Sequence, residues 1–226
     1  MKENYVFDMP IGEAMATQRA IRRLKAEPVD DGLVLRLIEL ALKAPTGKNA
    51  QNWEFLIVKD AQVKARLGRQ NRRVFNVYER LGRRLFRSDP RMEKIVKAVG
   101  WQAEHFEEIP VLVVACLKGL RPLFPAILVS SYYGSIYPSV QNLLLAARAV
   151  NLGAALITLP LWSHFAVRRI LGLPWNVSPC AVVPLGWPEG RYGPTTRKPV
   201  HEVVSIDRYG RRPTAATPGV RSQLPN

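Results

Sequence analysis

Apolar side chains recur along this chain in two periods, and the changes of period mark out its elements. Leu33, Leu37, Leu40 and Ala41 share one face at helical spacing, between the start signal Val29-Asp30-Asp31 and the stop Ala44-Pro45. The stretch before it, Ile11–Lys25, reads as a first helix, opened by the Asp8 carboxylate and Pro10 and ended by Pro28. Runs rich in aromatic and β-branched residues read as strands at Trp53–Val58, Pro110–Leu117, Ala154–Leu159 and Cys180–Leu185. Helical patterns fill about Gln62–Leu85, Arg91–Phe106, Ser135–Val150 and Ser163–Leu171. Strands set apart by long helical connections, with no internal repeat, predict an α+β fold with a mixed or antiparallel sheet.

The chain has 226 residues, of which 47% are apolar. That is enough for one substantial core, so residues 1–207 are expected to form a single domain. Beyond Asp207 the composition turns to Arg, Pro, Thr and Gly. Residues 208–226 are expected to be an extension, disordered or held extended against another surface, because too few apolar side chains remain there to offset the entropy of ordering. Apolar stretches such as Val111–Leu117 and Leu143–Ala149 fall well short of the roughly 20 residues a membrane span needs. The first residues, Met1-Lys2-Glu3-Asn4-Tyr5, lack the apolar core of a secretory signal, so a cytoplasmic location with no membrane partner is expected.

Cys116 and Cys180 each sit in an apolar run and read as small buried hydrophobes, not as a disulfide pair. His105, His164 and His201 stand at no ligand spacing, and no metal site is expected. The formal charge is +15. Between Lys64 and Lys97, twelve Lys and Arg face three carboxylates. This run reads as a solvated helical face before a nucleic-acid footprint, since aromatic residues are not interleaved as stacking platforms. On that ground nucleic acid is not the expected partner.

Chemistry is concentrated elsewhere. Arg19 and Arg22, three apart on the first predicted helix, share a face from which one guanidinium fork can grip a phosphate while the other stabilises anionic charge. In Ala44–Trp53, Pro45 and Gly47 make a turn. There Thr46, Asn49 and Gln51 offer short neutral side chains suited to reading the edge of a flat ring with several nitrogens and carbonyls. Neutral amides recognise; they transfer protons poorly, so no catalytic acid or base is assigned.

These segments carry a resemblance. Arg19-Ala20-Ile21-Arg22-Arg23 followed by Glu27-Pro28-Val29 resembles the opening Arg-Ser-x-Arg helix of the nitroreductase family of flavoproteins, with Ala20 where the family has Ser. Ala44-Pro45-Thr46-Gly47-Lys48-Asn49-Ala50-Gln51-Asn52-Trp53 is similar to its Ala-Pro-Ser-x-x-Asn-x-Gln-Pro-Trp signature, with Asn52 in place of Pro. Val140–Arg148 with Asn151-Leu152-Gly153 resembles the family's long central helix and its glycine stop. Pro184–Pro188 and Arg197-Lys198-Pro199-Val200 resemble its closing strand and phosphate-binding segment.

The resemblance implies a three-layer α+β fold, with a mainly antiparallel sheet flanked by helices, in an intertwined homodimer that holds FMN at two interface sites. Carried over by position, Arg19, Ala20, Arg22, Arg197 and Lys198 would surround the phosphate and the pyrimidine side. Pro45, Thr46, Asn49 and Gln51 would approach from the second subunit, and Ile157, Thr158 and Leu159 would lie along the ring. It further implies ping-pong transfer from NAD(P)H to a small electron-poor aromatic, a nitro compound or a quinone. Deazaflavin binding, dehalogenation, flavin cleavage and flavin storage are alternatives within the same fold. Phe124, Tyr132, Tyr133 and Tyr137 read as core or interface packing before substrate walls, and Trp162 and Trp175 as plain packing.

Overall fold

The computed structural model describes residues 5–85, 90–119 and 121–213. In chain order the elements are α1 (Ile11–Thr17), α2 (Asp31–Ala41), β1 (Trp53–Val58), α3 (Ala61–Leu85), α4 (Pro90–Glu104), β2 (Val111–Lys118), α5 (Ala126–Gly134), α6 (Tyr137–Ala149), β3 (Gly153–Ala154), α7 (His164–Leu171), β4 (Val177–Gly186) and α8 (Val200–Val203). The strands form one sheet in the order β1-β2-β4-β3, with every pairing antiparallel.

Two-residue alternation along β2 sorts its side chains between two helical layers. Val111, Val113, Ala115 and Leu117 pack with α2 and α6 through Leu33, Leu37, Val140 and Leu143. Leu112, Val114 and Cys116 pack on the other face with Leu67 of α3, Phe106 and Val167 of α7. Strands covered on both faces read as the unbroken apolar runs seen in the sequence. Pro184 interrupts β4 at little cost. It faces the β3 edge between the two places where that edge is bonded, Leu185–Gly186 and Val182.

Three expectations are corrected. The first helix does not run to Lys25 but stops at Thr17, where Gln18 turns extended (φ −63°, ψ 125°). Residues 18–25 pair as an irregular strip instead: the Ile21 amide donates to Ala154 O at 3.0 Å, the Lys25 amide to Trp187 O at 2.8 Å, and Leu24 bridges Pro188. Burying Ile21 and Leu24 against the β3 edge outweighs their helix propensity, and Arg19 and Arg22 therefore share no helical face. Asp8 does not cap α1; Pro10 stands at the N-cap position with no side-chain hydrogen bond.

The expected strand Ala154–Leu159 shrinks to Gly153–Ala154 plus a single bridge, Ile157 to Val182, because Leu159 enters a 3-10 turn containing Pro160. Helix α5 is an addition in a stretch where the pattern assigned no element. Past α8 the chain turns back on itself, the Ile206 amide donating to Arg211 O at 2.8 Å. Most of the expected C-terminal extension, residues 214–226, lies outside the described residues. Among the described residues no helix is long and apolar enough to cross a membrane.

Candidate functional site

The expected site residues fall into two groups. The first is built around the β3 edge. Both the amide and the hydroxyl of Thr195 donate to Ala16 O, at 3.1 and 3.0 Å, which pins the segment carrying Arg197 and Lys198 to the end of α1. A Cβ on Gly193 would stand 3.8 Å from Arg19 Nη1, so that guanidinium lies against the same segment. Ala20 and Arg22 flank Ile21, which is hydrogen-bonded to β3. Three residues beyond β3, Ile157 bridges β4, and Thr158 and Leu159 follow it around the end of the edge. Arg19, Ala20, Arg22, Ile157, Thr158, Leu159, Arg197 and Lys198 thus occupy one margin of the molecule.

Arg22 is the electrostatic centre of this margin. Its guanidinium is half buried, and loss of solvent lowers its pKa from the ordinary arginine value. Its Nε is buried without a hydrogen-bond partner. Among the described residues no carboxylate pairs with it.

Pro45, Thr46, Asn49 and Gln51 make up the second group, in the loop between α2 and β1. Lys48, Asn49 and Gln51 all adopt positive φ (55°, 52° and 46°), a conformation side chains other than glycine take at a cost. Local bonds hold it there. The Gln51 amide donates to Thr46 Oγ1 and Gln51 Nε2 to Asn49 Oδ1, both at 3.1 Å. Gly47 N donates to Ser135 Oγ at 3.1 Å, and Trp53 Nε1 donates to Ser135 O at 2.6 Å. The loop is therefore docked on the junction of α5 and α6, with its amide side chains exposed.

One chain keeps the Arg19–Arg22 strip apart from this loop, whereas Thr158 shares a cavity with Tyr133, close to the α5–α6 junction on which the loop docks. β1 and β3 are opposite edges of the sheet, and Trp53 pairs with Leu117 whereas Gly153 pairs with Gly186, beyond the Val111 end of β2. Three inter-strand spacings and about seven residues of strand separate Gly153, beside which Arg22 sits, from Trp53, about 14 Å across and about 23 Å along the strands; Ile157, opposite Val182, is only about three residues from the level of Trp53.

A cavity of about 310 Å³ opens at Thr158 and is walled by Tyr133, Tyr137, Trp162 and His164, with Pro179 and Cys180 at its buried end. Tyr133 and Tyr137 stack with centroids 6.2 Å apart. Tyr132 and Tyr133 pack against the core, as expected, and Tyr133 and Tyr137 also line this cavity; Trp162 and Trp175, read as plain packing, are instead 75% and 80% exposed. Cys180 is buried, as its apolar run predicts, but its meeting with His164 at a cavity was not foreseen. The signal was weak, a four-residue spacing of Tyr133 and Tyr137 across a helix start.

Known proteins align with these features. The model of the nitroreductase family matches residues 15–187. An NADH dehydrogenase of Thermus thermophilus is 28% identical over 200 residues, 84% of this chain and 93% of that protein. An iodotyrosine deiodinase of Danio rerio is 24% identical over 197 residues, 85% of this chain but 65% of that protein, so the chain spans just under two thirds of that relative's length. Among solved structures, the NADPH:FMN oxidoreductase of Vibrio harveyi complexed with NAD+ superposes with a TM-score of 0.68 at 22% identity, covering 88% of this chain and 77% of that one. That last likeness is one of fold.

Proposed function

The chain belongs to the nitroreductase family, and from that premise we propose that it binds FMN between two copies of itself and passes electrons from NAD(P)H to electron-poor aromatics, nitro compounds or quinones. The observation that carries this reading is Arg22. A guanidinium withdrawn from water with an unpaired Nε and no carboxylate is unfavourable unless an anion or acceptor is brought to it. A flavin's phosphate or pyrimidine edge supplies such a partner, and Arg19, Arg197 and Lys198 add charge along the same margin.

The chemistry that FMN supplies when bound is two-electron transfer between a nicotinamide and an acceptor. The protein's own part is position and field. Arg22, in its poorly solvated place, favours negative charge developing beside it more strongly than an exposed arginine would. Ala20 offers no hydroxyl, which leaves the phosphate to the cations and backbone amides. Ile157, Thr158 and Leu159 fit along the ring, and Pro45, Thr46, Asn49 and Gln51 fit its other side from a second subunit. The separation of the Arg19–Arg22 strip from that loop supports this homodimer reading. So does α5, which buries none of its residues although Ile127 and Leu128 are 71% and 51% exposed.

Purified protein is expected to be yellow, to rebind FMN after its removal with micromolar or better affinity, and to reduce a nitroaromatic or a quinone with NADH or NADPH. Arg22→Met is expected to weaken FMN binding at least about tenfold. Protein that binds no FMN at these concentrations would refute the reading. A second reading, reductive dehalogenation at the same site, is supported by the match to the iodotyrosine deiodinase. Iodide release from 3-iodotyrosine, compared with nitroaromatic turnover, decides between the two.

A further inference from the structure

The cavity beside Thr158 is lined by residues of the α5–α6 region and of the segment leading into α7. Tyr133, Tyr137 and Trp162 give it aromatic walls and Thr158 and His164 polar ones, so a planar guest gains stacking on entry. Its volume, about 310 Å³, suits a one-ring or small two-ring aromatic.

Its charges are of one sign. Arg121 does not line the cavity, but its guanidinium carbon lies 5.7 Å from the centroid of the Tyr133 ring and its charge acts on His164 and Cys180, which do. Among the described residues Arg121 makes no ion pair. Arg168 is the other cation in reach, but its guanidinium already donates to Pro174 O and lies 5.5 Å over Trp175. Both arginines bear on His164, and with burial they lower its pKa, so at neutral pH the imidazole is uncharged and able to hydrogen-bond. Among the described residues no carboxylate acts on His164, Tyr137 or Cys180.

We propose that this cavity is the acceptor subsite and that Arg121 makes it select flat aromatic anions, the ring held between the tyrosines and Trp162 and a carboxylate directed toward Arg121. As an account of turnover this rests on the flavin reading; as an account of binding it does not. At about 6 Å and an effective dielectric of about 40, one cation favours an anionic over a neutral guest by roughly tenfold.

The test compares 4-nitrobenzoate with 4-nitrobenzamide, equal in shape and different in charge. In turnover, one NADPH and one proton convert the nitro group to nitroso with release of water. The wild-type protein is expected to show a kcat/KM about tenfold higher for the carboxylate. Arg121→Gln should bring the ratio near one and Arg121→Glu should invert it, with the flavin spectrum unchanged. Calorimetric titration of the protein with the same two compounds is expected to give the same order of affinities. Yellow, active protein with no preference for the carboxylate, or a preference that Arg121→Glu leaves in place, overturns the subsite and leaves the flavin reading standing. Colourless protein that still binds 4-nitrobenzoate in an Arg121-dependent way upholds the subsite and sinks the flavin reading.

Discussion

The guanidinium carbon of Arg148 lies 4.3 Å from the centroid of the Tyr192 ring. Arg148, in the last turn of α6, is only 7% exposed, and its Nε donates to Thr17 Oγ1 at 2.8 Å and its Nη1 to Asn151 Oδ1 at 2.9 Å. Tyr192 in turn donates to Leu152 O. One side chain therefore ties α1, the end of α6 and the segment leading to Arg197. Arg148→Ala is expected to cost about 2 kcal/mol, because it removes a buried side chain whose guanidinium makes two hydrogen bonds and packs on Tyr192. It should also weaken FMN binding, whereas Tyr192→Phe should cost about 1 kcal/mol. Urea unfolding paired with FMN titration checks both. A stability loss with unchanged flavin affinity would show that the anchoring does not reach the site.

Gly153 is where the strip carrying Arg19 and Arg22 touches the sheet. A Cβ there would stand 2.5 Å from Leu24 Cδ2 and 2.9 Å from Ile21 Cγ2. Both neighbours belong to side chains held by burial and by backbone bonds, so neither yields freely. Gly153→Ala is expected to destabilise by about 1–3 kcal/mol and to shift the strip outward. Loss of FMN affinity greater than that caused by an equally destabilising core change, such as Val114→Ala, would locate the effect at Arg22.

Much of this fold was legible from periodicity. The β2 and β4 runs were legible as strands and the Leu33–Leu37–Ala41 stripe as α2, because the residues of each element agree locally with its place in the core, whereas the covering of both sheet faces came from the family resemblance. The strip 18–25 was not legible: its local sequence favours a helix, and only contacts with β3 and Trp187, over 130 residues away, make it extended. The cations were recognisable as a set, but their convergence depends on Thr195 bonding to Ala16, a contact no spacing rule encodes. The cavity escaped notice for a similar reason, since Thr158, His164 and Cys180 meet Tyr133 only through the turn at Pro160.

Arg22 is expected to be harmful to the empty protein. With Nε unpaired and the charge poorly solvated, Arg22→Met should leave the flavin-free protein as stable as before or about 1 kcal/mol more stable. The same change should lower the melting temperature of protein saturated with FMN relative to the wild type. Opposite effects in the two states separate a residue kept for a ligand from one kept for the fold.

Burial pushes the thiols of Cys116 and Cys180 up to about 12 from their ordinary value of 9.0. At pH 8 almost no thiolate is present, so a thiol reagent should label neither cysteine in the folded protein and both after urea. The sign of the linkage follows. Below pH 9.0 the thiols are protonated in both states and their contribution is fully present. As pH climbs from 9.0 toward about 12 the unfolded chain loses these protons first, so stability falls across that window. Rapid labelling of either cysteine in folded protein at pH 8 would contradict the burial.

On one chain the strip carrying Arg22 lies at the β3 edge and the loop carrying Asn49 leads into the opposite edge strand β1, and this makes a prediction about mixtures. Arg22 and Asn49 would belong to the same flavin only when they come from different subunits. Arg22→Met and Asn49→Ala proteins are each expected to bind FMN poorly in both sites. A mixed dimer carries both changes in one site and neither in the other, so co-expression should restore roughly a quarter of the sites when pairing is random. Restoration requires the two variants to assemble with one another, so adding Phe124→Glu and Ile127→Glu, at side chains that are 86% and 71% exposed beside and on α5, should give monomers and abolish it. Light scattering measures the assembly, and flavin absorbance counts the sites. If co-expression restores nothing while mixed dimers do form, then Arg22 and Asn49 serve the same copy, and the shared site is wrong.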